Sequence, residues 1–276
     1  MKHIVLALAL ALVVTAAPIP AKGKPGDIKG TTLDATPDNL AATWSRAHLV
    51  LPAALAGGQR WQGVAAEAPA VAGKAPLVIL LHGSSGIAPA VKEFQVWLAD
   101  TFNLASIAPD SFAIDGRLTY DSPVSIDIYE RVHALRLAEL EYALTASNAW
   151  AWVDRTRIVL AGTSEGAVAV SRYAGTQSAA RLIFSWSCEA NYFVNGPRPG
   201  FGGKEPVFNA ISARDPYFSP QNPWNKDYAI TGNCAGALKG NPNASVFVVD
   251  ADIHTILNRA DVHQATSDFL RNVLKP

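Results

Sequence analysis

The stretch "RIVLAGTSEGAVAV", residues 157–170, decides the fold. Its apolar first half breaks at Gly162, and small apolar residues resume after Gly166. The first half has the continuity of a strand buried on both faces, and the second half is typical of a helix. A serine between two such glycines, in a strand-to-helix turn, is typical of a nucleophile that projects from the top of a sheet. We therefore identify Ser164 as a candidate nucleophile, the alternative being an ordinary strand–helix joint.

Strands and helices alternate along most of the chain. Further strands are predicted at 75–83, 103–112, 181–187, 206–213 and 244–250, with an early strand within 59–70. Helices are predicted at 89–102, 125–153, 166–175 and 263–275, with a short one near 40–48. This order predicts an α/β fold with a mostly parallel central sheet and helices on both faces. Ligands of such sheets bind at the carboxyl ends of the strands.

Composition favours a single domain over residues 22–276. The 276 residues are 49% hydrophobic and contain no internal repeat, and 22–60 is a Gly-, Pro- and Thr-rich segment expected to be a loosely ordered lead-in. The formal net charge is zero and there is no basic run, so nucleic acid is not an expected partner. The sequence has no metal-binding constellation and no phosphate or dinucleotide loop, so no metal or cofactor is predicted. Oligomeric state is left open.

The N-terminus predicts export. Residues 1–21 combine a basic start, a short apolar stretch and small residues, the pattern of a signal peptide, although an uncleaved interfacial helix is the alternative. No other apolar stretch is long enough to span a membrane. A periplasmic or secreted protein meets an oxidising compartment, where Cys188 and Cys234 are expected to form a disulfide rather than remain as two free thiols.

A nucleophilic serine needs a base and an acid that orients the base. Among the six histidines, His254 follows the final strand and is the best candidate base, whereas His82 is expected to be structural. Asp215 follows the preceding strand and is the candidate acid. Asp250 and Asp252 compete with it, but they lie too close to His254 in sequence to reach its ring from another strand.

Two backbone amides are needed to bind the oxyanion of a tetrahedral intermediate. We expect them to come from Ser84, in the small-residue loop after the 75–83 strand, and from Glu165, directly after the nucleophile. The side chain of Glu165 has two possible roles. The sequence favours a partly exposed carboxylate stabilised by the start of a helix, and the alternative is pairing with a cation such as Arg117.

Two long loops, 188–206 and 215–244, are rich in Gly, Pro and Asn and carry several aromatic residues. Loops of this length are often functional. They are expected to be joined by the disulfide and to line a substrate pocket, ordinary loop packing being the alternative. The candidate pocket residues are Tyr192, Tyr217, Phe218 and Trp224.

Five segments together resemble α/β-hydrolases of the dienelactone hydrolase type, from about residue 75 onward. They are "LLHGSSG", "APDSFAIDGR", "IVLAGTSEGA", "ISARDPYF" and "DADIHTIL", in that order. The resemblance implies an α/β-hydrolase fold, a triad of Ser164, Asp215 and His254, and cofactor-free hydrolysis of esters or lactones. Dienelactone hydrolases proper are cytoplasmic and use a cysteine nucleophile, so serine esterases of this type fit better. The alternatives are a serine peptidase and a non-catalytic binding protein on the same scaffold. A substrate ester, small or polymeric, is the expected partner.

Overall fold

A computed structural model describes residues 26–71 and 73–274, and the predicted signal peptide lies outside these ranges. Ten strands are present in the described residues: β1 (Ile28–Lys29), β2 (His48–Leu51), β3 (Trp61–Val64), β4 (Ala75–Leu81), β5 (Ala105–Ala108), β6 (Thr119–Tyr120), β7 (Val153–Thr163), β8 (Ala180–Phe184), β9 (Val207–Ser212) and β10 (Ala244–Val249). The helices are α1 (Pro37–Ser45), α2 (Pro89–Phe102), α3 (Ile126–Ser147), α4 (Glu165–Arg172) and α5 (Ala260–Val273).

Eight strands form the central sheet in the order β10-β9-β8-β7-β4-β5-β2-β3. The first six of these run parallel, whereas β2 pairs antiparallel with both β5 and β3. The predicted mostly parallel sheet is therefore confirmed. Because the six parallel strands point the same way, their carboxyl ends meet at one edge, where the candidate residues are found.

Helices cover both faces of the sheet, as predicted. Alternate residues of β4 belong to different cores: Leu77, Ile79 and Leu81 pack with α3 and α4, whereas Val78 and Leu80 pack with α2 and α5. This division follows from the two-residue period of a strand. It explains why the strand reads as a continuous apolar run rather than as an alternating one.

Residues 26–60, within the expected loosely ordered lead-in, form β1, α1 and β2. Helix α1 begins with Thr36 as its N-cap, whose hydroxyl accepts a hydrogen bond from the Asn39 amide at 3.2 Å, and Pro37 occupies the first turn. Strand β2 then inserts its apolar "HLVL" between β5 and β3. The segment is ordered because these contacts bury its apolar residues, although its Gly, Pro and Thr content predicts a loop.

The long helix predicted at 125–153 ends earlier, at Ser147. Residues 148–152 form turns before β7 begins at Val153, and Trp150 packs its ring between those of Trp44 and Trp152 at centroid distances of 4.7 and 5.2 Å. Contacts with α1, which lies far away in sequence, thus replace the last helical turns. In the described part of the chain no helix is long and apolar enough to cross a membrane.

Candidate active site

Ser164 lies in a strained turn between β7 and α4. Its backbone has φ 54° and ψ −120°, a positive φ that is costly for a residue other than glycine. The two flanking glycines make the turn possible: a methyl group on Gly162 would overlap the backbone of Gly166, and one on Gly166 would overlap the carbonyl of Leu81. The local geometry is therefore that of a sharp strand-to-helix turn with its serine at the sheet edge.

Asp215 and His254 are brought together at the same edge. The Asp215 Oδ2 atom lies 2.8 Å from His254 Nδ1, and Asp215 Oδ1 accepts hydrogen bonds from the amides of Tyr217 and Phe218 at 2.8 and 3.1 Å. Asp215 is fully buried, whereas the His254 side chain keeps some exposure. The backbone donors fix the carboxylate, the carboxylate holds the Nδ1 proton, and the imidazole Nε2 atom is left as the acceptor.

The two competing carboxylates are placed elsewhere. Asp250 pairs with Arg214 at 2.7 Å on the surface, and Asp252 is exposed. Neither is positioned as the partner of His254 Nδ1, whose partner is Asp215. A different strand end therefore supplies the carboxylate, as the order of the motifs predicts.

The small-residue loop after β4 lies directly against the Ser164 turn. A methyl group on Gly83 would lie 3.3 Å from Ser164 Cβ and 3.8 Å from Ser164 Oγ, so a larger residue here would crowd the Ser164 turn. Ser84 follows and lines the same cavity as Ser164. Ser84 thus borders the nucleophile's cavity, while Glu165 follows Ser164 directly as the first residue of α4.

His82 holds this loop in place and has no exposure of its own. Its Nε2 accepts a hydrogen bond from the Ser111 amide at 3.1 Å, so the ring proton is on Nδ1, which donates to the Gly83 carbonyl at 2.7 Å. Burial, together with the nearby Arg136, keeps the pKa of His82 well below its ordinary value. His82 is therefore neutral, and its two hydrogen bonds fix the position of the loop.

A cavity of about 350 Å³ is bounded by residues that the sequence places far apart. Its lining includes Ser84, Ser164, His254 and three of the four predicted pocket residues, Tyr192, Tyr217 and Phe218. Trp224 is not part of the lining. It packs behind the wall, with its ring 5.1 Å from that of Tyr192 and 6.3 Å from that of Tyr217, because the short turn at Pro223–Asn225 directs it onto these rings.

The side chain of Glu165 is buried, so the favoured expectation of an exposed carboxylate is wrong. Its Oε1 lies 2.7 Å from Arg117 Nη2 and 3.5 Å from Arg136 Nε, and its Oε2 accepts a hydrogen bond from the Tyr120 hydroxyl at 2.8 Å. Burial alone would raise the pKa of Glu165, but the two arginines and Tyr120 outweigh it and lower the pKa below its ordinary value.

Further contacts extend this cluster beneath the turn. Arg136 donates to Glu139 at 2.6 Å and to the His82 carbonyl at 2.9 Å, and Ser111 bridges Glu139 and Arg117 through two contacts of 2.6 Å. We call Arg117, Tyr120, Arg136, Glu139 and Glu165 the buried charge network. It contains two arginines and two glutamates, so the charges balance.

Of these partners of Glu165, only Arg117 was named from the sequence, as the alternative to an exposed carboxylate. A signal for two other members of the network is present in the sequence. Arg136 and Glu139 fall on the same face of α3 as Val132 and Ala143, at the three- and four-residue steps of a buried stripe. Charged residues on an apolar face indicate a buried pair.

Strands β1 and β6 form a two-stranded ribbon that the sequence analysis also missed. Ile28 pairs with Tyr120 and Lys29 with Thr119. The ribbon and its flanking residues contribute to the cavity lining: Asp27, Lys29, Thr119, Tyr120, Asp121 and Ser122. The N-terminal segment is thereby part of the candidate site.

The predicted disulfide is present between Cys188 and Cys234, with the Cα atoms 4.8 Å apart. It joins the two long loops that carry Tyr192 and Tyr217. In the described residues no cluster of His, Cys, Asp and Glu has the arrangement of a metal site.

No family model matches this chain, and no curated protein matches its sequence. Solved structures do match its fold. One is described as a dienelactone hydrolase from Klebsiella pneumoniae, with a TM-score of 0.52, 16% identity, and coverage of 73% of this chain and 87% of that one. Est1E from Butyrivibrio proteoclasticus matches with a TM-score of 0.51, 14% identity, and coverage of 83% and 94%. With its mixed, mostly parallel sheet flanked by helices, the chain has the α/β-hydrolase fold of these structures.

Proposed function

We propose that this protein is a serine hydrolase that cleaves carboxylic esters or lactones through an acyl-enzyme. The observation that carries the proposal is the convergence of three features on one cavity. These are a serine on a strained turn, a histidine held by a buried carboxylate, and a glycine loop close to the serine hydroxyl. Ester hydrolysis by the Ser164–His254–Asp215 set is the chemistry that this combination supports best.

Acylation begins when Ser164 Oγ attacks the ester carbonyl. His254 Nε2 takes the serine proton, and Asp215 stabilises the resulting imidazolium through Nδ1. The amides of Ser84 and Glu165 donate hydrogen bonds to the oxyanion of the tetrahedral intermediate. His254 then returns the proton to the leaving alcohol, and the acyl group stays on Ser164.

Deacylation repeats these steps with water in place of the serine. His254 takes a proton from water as the water attacks the acyl carbonyl, and the proton then passes to Ser164 Oγ as the acid leaves.

The proposal includes export through the N-terminal signal and a mature domain that starts near residue 22. The disulfide supports an oxidising location, because such bonds persist mainly outside the cytoplasm. The mass of the protein recovered from the periplasm or medium tests this part, and removal of about the first 21 residues is expected.

Covalent labelling tests the proposed function directly. A fluorophosphonate probe is expected to modify Ser164, as located by mass spectrometry of the digested protein. Ser164→Ala is expected to abolish labelling and to lower kcat on p-nitrophenyl esters by roughly 10⁴-fold or more. Ser45 is an exposed serine of α1, so Ser45→Ala is the matched control. It is expected to keep both the labelling of Ser164 and the kcat of the unsubstituted protein.

Two outcomes would change the conclusion. The absence of an adduct on Ser164 in the folded protein would favour a non-catalytic binding role. An adduct together with peptide cleavage, without ester turnover, would replace the esterase by a peptidase.

A further inference from the structure

The cavity lining contains a tyrosine that the proposed triad does not use. Tyr192 is part of the lining, and its hydroxyl is buried without a hydrogen-bond partner in the described residues. A buried polar group without a partner costs free energy unless water or a ligand satisfies it. The Tyr192 hydroxyl is therefore a position at which a bound molecule would gain a hydrogen bond.

Tyr192 is rigidly held and stays protonated. Its ring packs edge-on against Trp224 at 5.1 Å and Tyr129 at 5.8 Å. Burial raises the pKa of Tyr192 well above its ordinary value. At neutral pH the hydroxyl therefore has a proton to donate, and its direction is fixed by the neighbouring rings.

Ser122 supplies a second donor beside Tyr192. The Val124 amide donates to the Tyr129 hydroxyl at 3.1 Å, and Tyr129 in turn donates to Ser122 Oγ at 2.9 Å. Since Ser122 accepts in this chain, its own proton is left for another acceptor. Ser122 lies near enough to Tyr192 to offset part of the rise in its pKa, but the two hydroxyls do not reach hydrogen-bond geometry.

We propose that Tyr192 and Ser122 form a subsite for an oxygen atom of the substrate other than those of the reacting ester. The inference rests on the proposed function and narrows its substrate class. The preferred substrates are compact esters that carry a hydroxyl, ether or oxo group on the acyl or alcohol part. The size fits, because about 350 Å³ is near the lower end of small-molecule pockets.

The rest of the lining agrees with a substrate of mixed polarity. Phe193, Phe218 and Leu257 provide apolar surface, whereas Asp27, Lys29 and Asp121 provide charged groups from the β1–β6 ribbon and its flanking residues. A plain alkyl chain would offer no acceptor to the hydroxyls of Tyr192 and Ser122. A substrate that carries an additional oxygen atom beside its apolar groups matches both the polar and the apolar parts of the lining.

The test compares matched esters that differ by one oxygen. For the acyl part, p-nitrophenyl 3-hydroxybutanoate is compared with p-nitrophenyl butanoate. For the alcohol part, 2-hydroxyethyl butanoate is compared with propyl butanoate by titration of the released acid. In at least one pair, the ratio of kcat/KM values is expected to favour the oxygen-bearing ester by up to about tenfold, the size of one neutral hydrogen bond.

Tyr192→Phe and Ser122→Ala are expected to bring that ratio towards one. Tyr217→Phe removes the same atom from another tyrosine of the lining and is expected to leave the ratio as in the unsubstituted protein. Tyr192→Phe removes no hydrogen bond of standard geometry within the described residues, and its Tm confirms folding. An unchanged ratio in both pairs with Tyr192→Phe, while Ser164 still takes the fluorophosphonate, would overturn the subsite alone. If Ser164 takes no label in the unsubstituted protein, the proposed function itself has failed.

Discussion

The two sides of the Ser164 turn differ in how their polar side chains are paired. Beneath the turn, the buried charge network joins Glu165 to two arginines and Tyr120, and its four charged side chains are buried away from solvent. Above it, the cavity is lined by His254, with an imidazole nitrogen left as acceptor, and by Tyr192, whose hydroxyl has no hydrogen-bond partner among the described residues. The difference teaches that a polar group placed for stability is paired within the chain, whereas one placed for chemistry is left to be satisfied by a substrate.

The largest expected effect is on the cavity side, in Asp215→Asn. Two backbone amides bind Asp215 Oδ1, so the asparagine is expected to keep its oxygen there and to turn its NH₂ group towards His254 Nδ1. That donor forces the imidazole proton onto Nε2, and the base can then no longer accept the serine proton. We expect kcat to fall by about 10⁴-fold.

Steady-state kinetics on a p-nitrophenyl ester measure this effect. Asp252→Asn, the exposed carboxylate close to His254 in sequence, is the control and is expected to leave kcat unchanged. A loss of less than tenfold in Asp215→Asn would show that the pair seen here does not orient the base.

The next effect lies beneath the turn, in Glu165→Gln. The substitution keeps the shape of the side chain but leaves two buried arginines facing the single carboxylate of Glu139. Removing one partner from a buried ion pair typically costs about 3–5 kcal/mol, because the remaining charge is uncompensated. The free energy of unfolding in urea is expected to fall by this amount.

Asp250→Asn breaks the Arg214 ion pair on the surface and is the matched control. It is expected to leave the unfolding midpoint unchanged, because water replaces the lost partner. If Glu165→Gln does not fold, Tyr120→Phe removes one hydrogen bond from the same carboxylate and is expected to cost about 2 kcal/mol. Equal free energies of unfolding for Glu165→Gln and Asp250→Asn would show that the buried charge network stabilises the protein no more than a surface ion pair does.

A smaller effect depends on pH and involves His133, a buried residue of α3. Its Nε2 lies 3.0 Å from the Phe193 carbonyl, its Nδ1 has no partner in the described residues, and burial lowers its pKa from 6.5 to about 4. Between these two pH values the unfolded chain binds a proton that the folded protein does not. Stability is therefore complete above pH 6.5 and falls as the pH drops towards 4, by up to about 3 kcal/mol from this group.

Urea unfolding of His133→Gln at both pH values measures this contribution. The glutamine amide can keep the hydrogen bond to Phe193 and does not titrate, so the variant is expected to lose less stability on acidification than the unsubstituted protein. His82 adds to the pH dependence of both proteins and cancels in the comparison. An identical loss in both would contradict the prediction.

Much of the sheet and the turn could be predicted because their signals are local. The apolar run before Gly162 and the two glycines around Ser164 define a strand and a sharp turn within a few residues. The short "HLVL" of β2 was absorbed into the expected lead-in, because four residues are too few for a pattern to distinguish a strand from a loop. The position of α1 was only approximate for a related reason, since its start depends on the Thr36 cap.

The pocket was harder to predict than the catalytic candidates. Asp215 and His254 each follow a strand, so the topology alone brings them to one edge. Trp224 and Tyr192 lie on long loops, and which ring faces the cavity is decided by packing between those loops. Composition identified the aromatic residues but not which of them line the cavity and which pack behind the lining.

By itself, the sequence determined the strand-turn-helix at Ser164, the order of the serine, aspartate and histidine, and the pairing of the two cysteines. These follow from short patterns, from topology and from the small number of possible partners. Only the tertiary structure decided that the Glu165 side chain is buried, that β1 borders the cavity and that the Tyr192 hydroxyl has no partner in the part of the chain that the structure describes. Each of these depends on contacts between residues far apart in the chain, such as Arg117 and Glu165, and local preference does not encode such contacts.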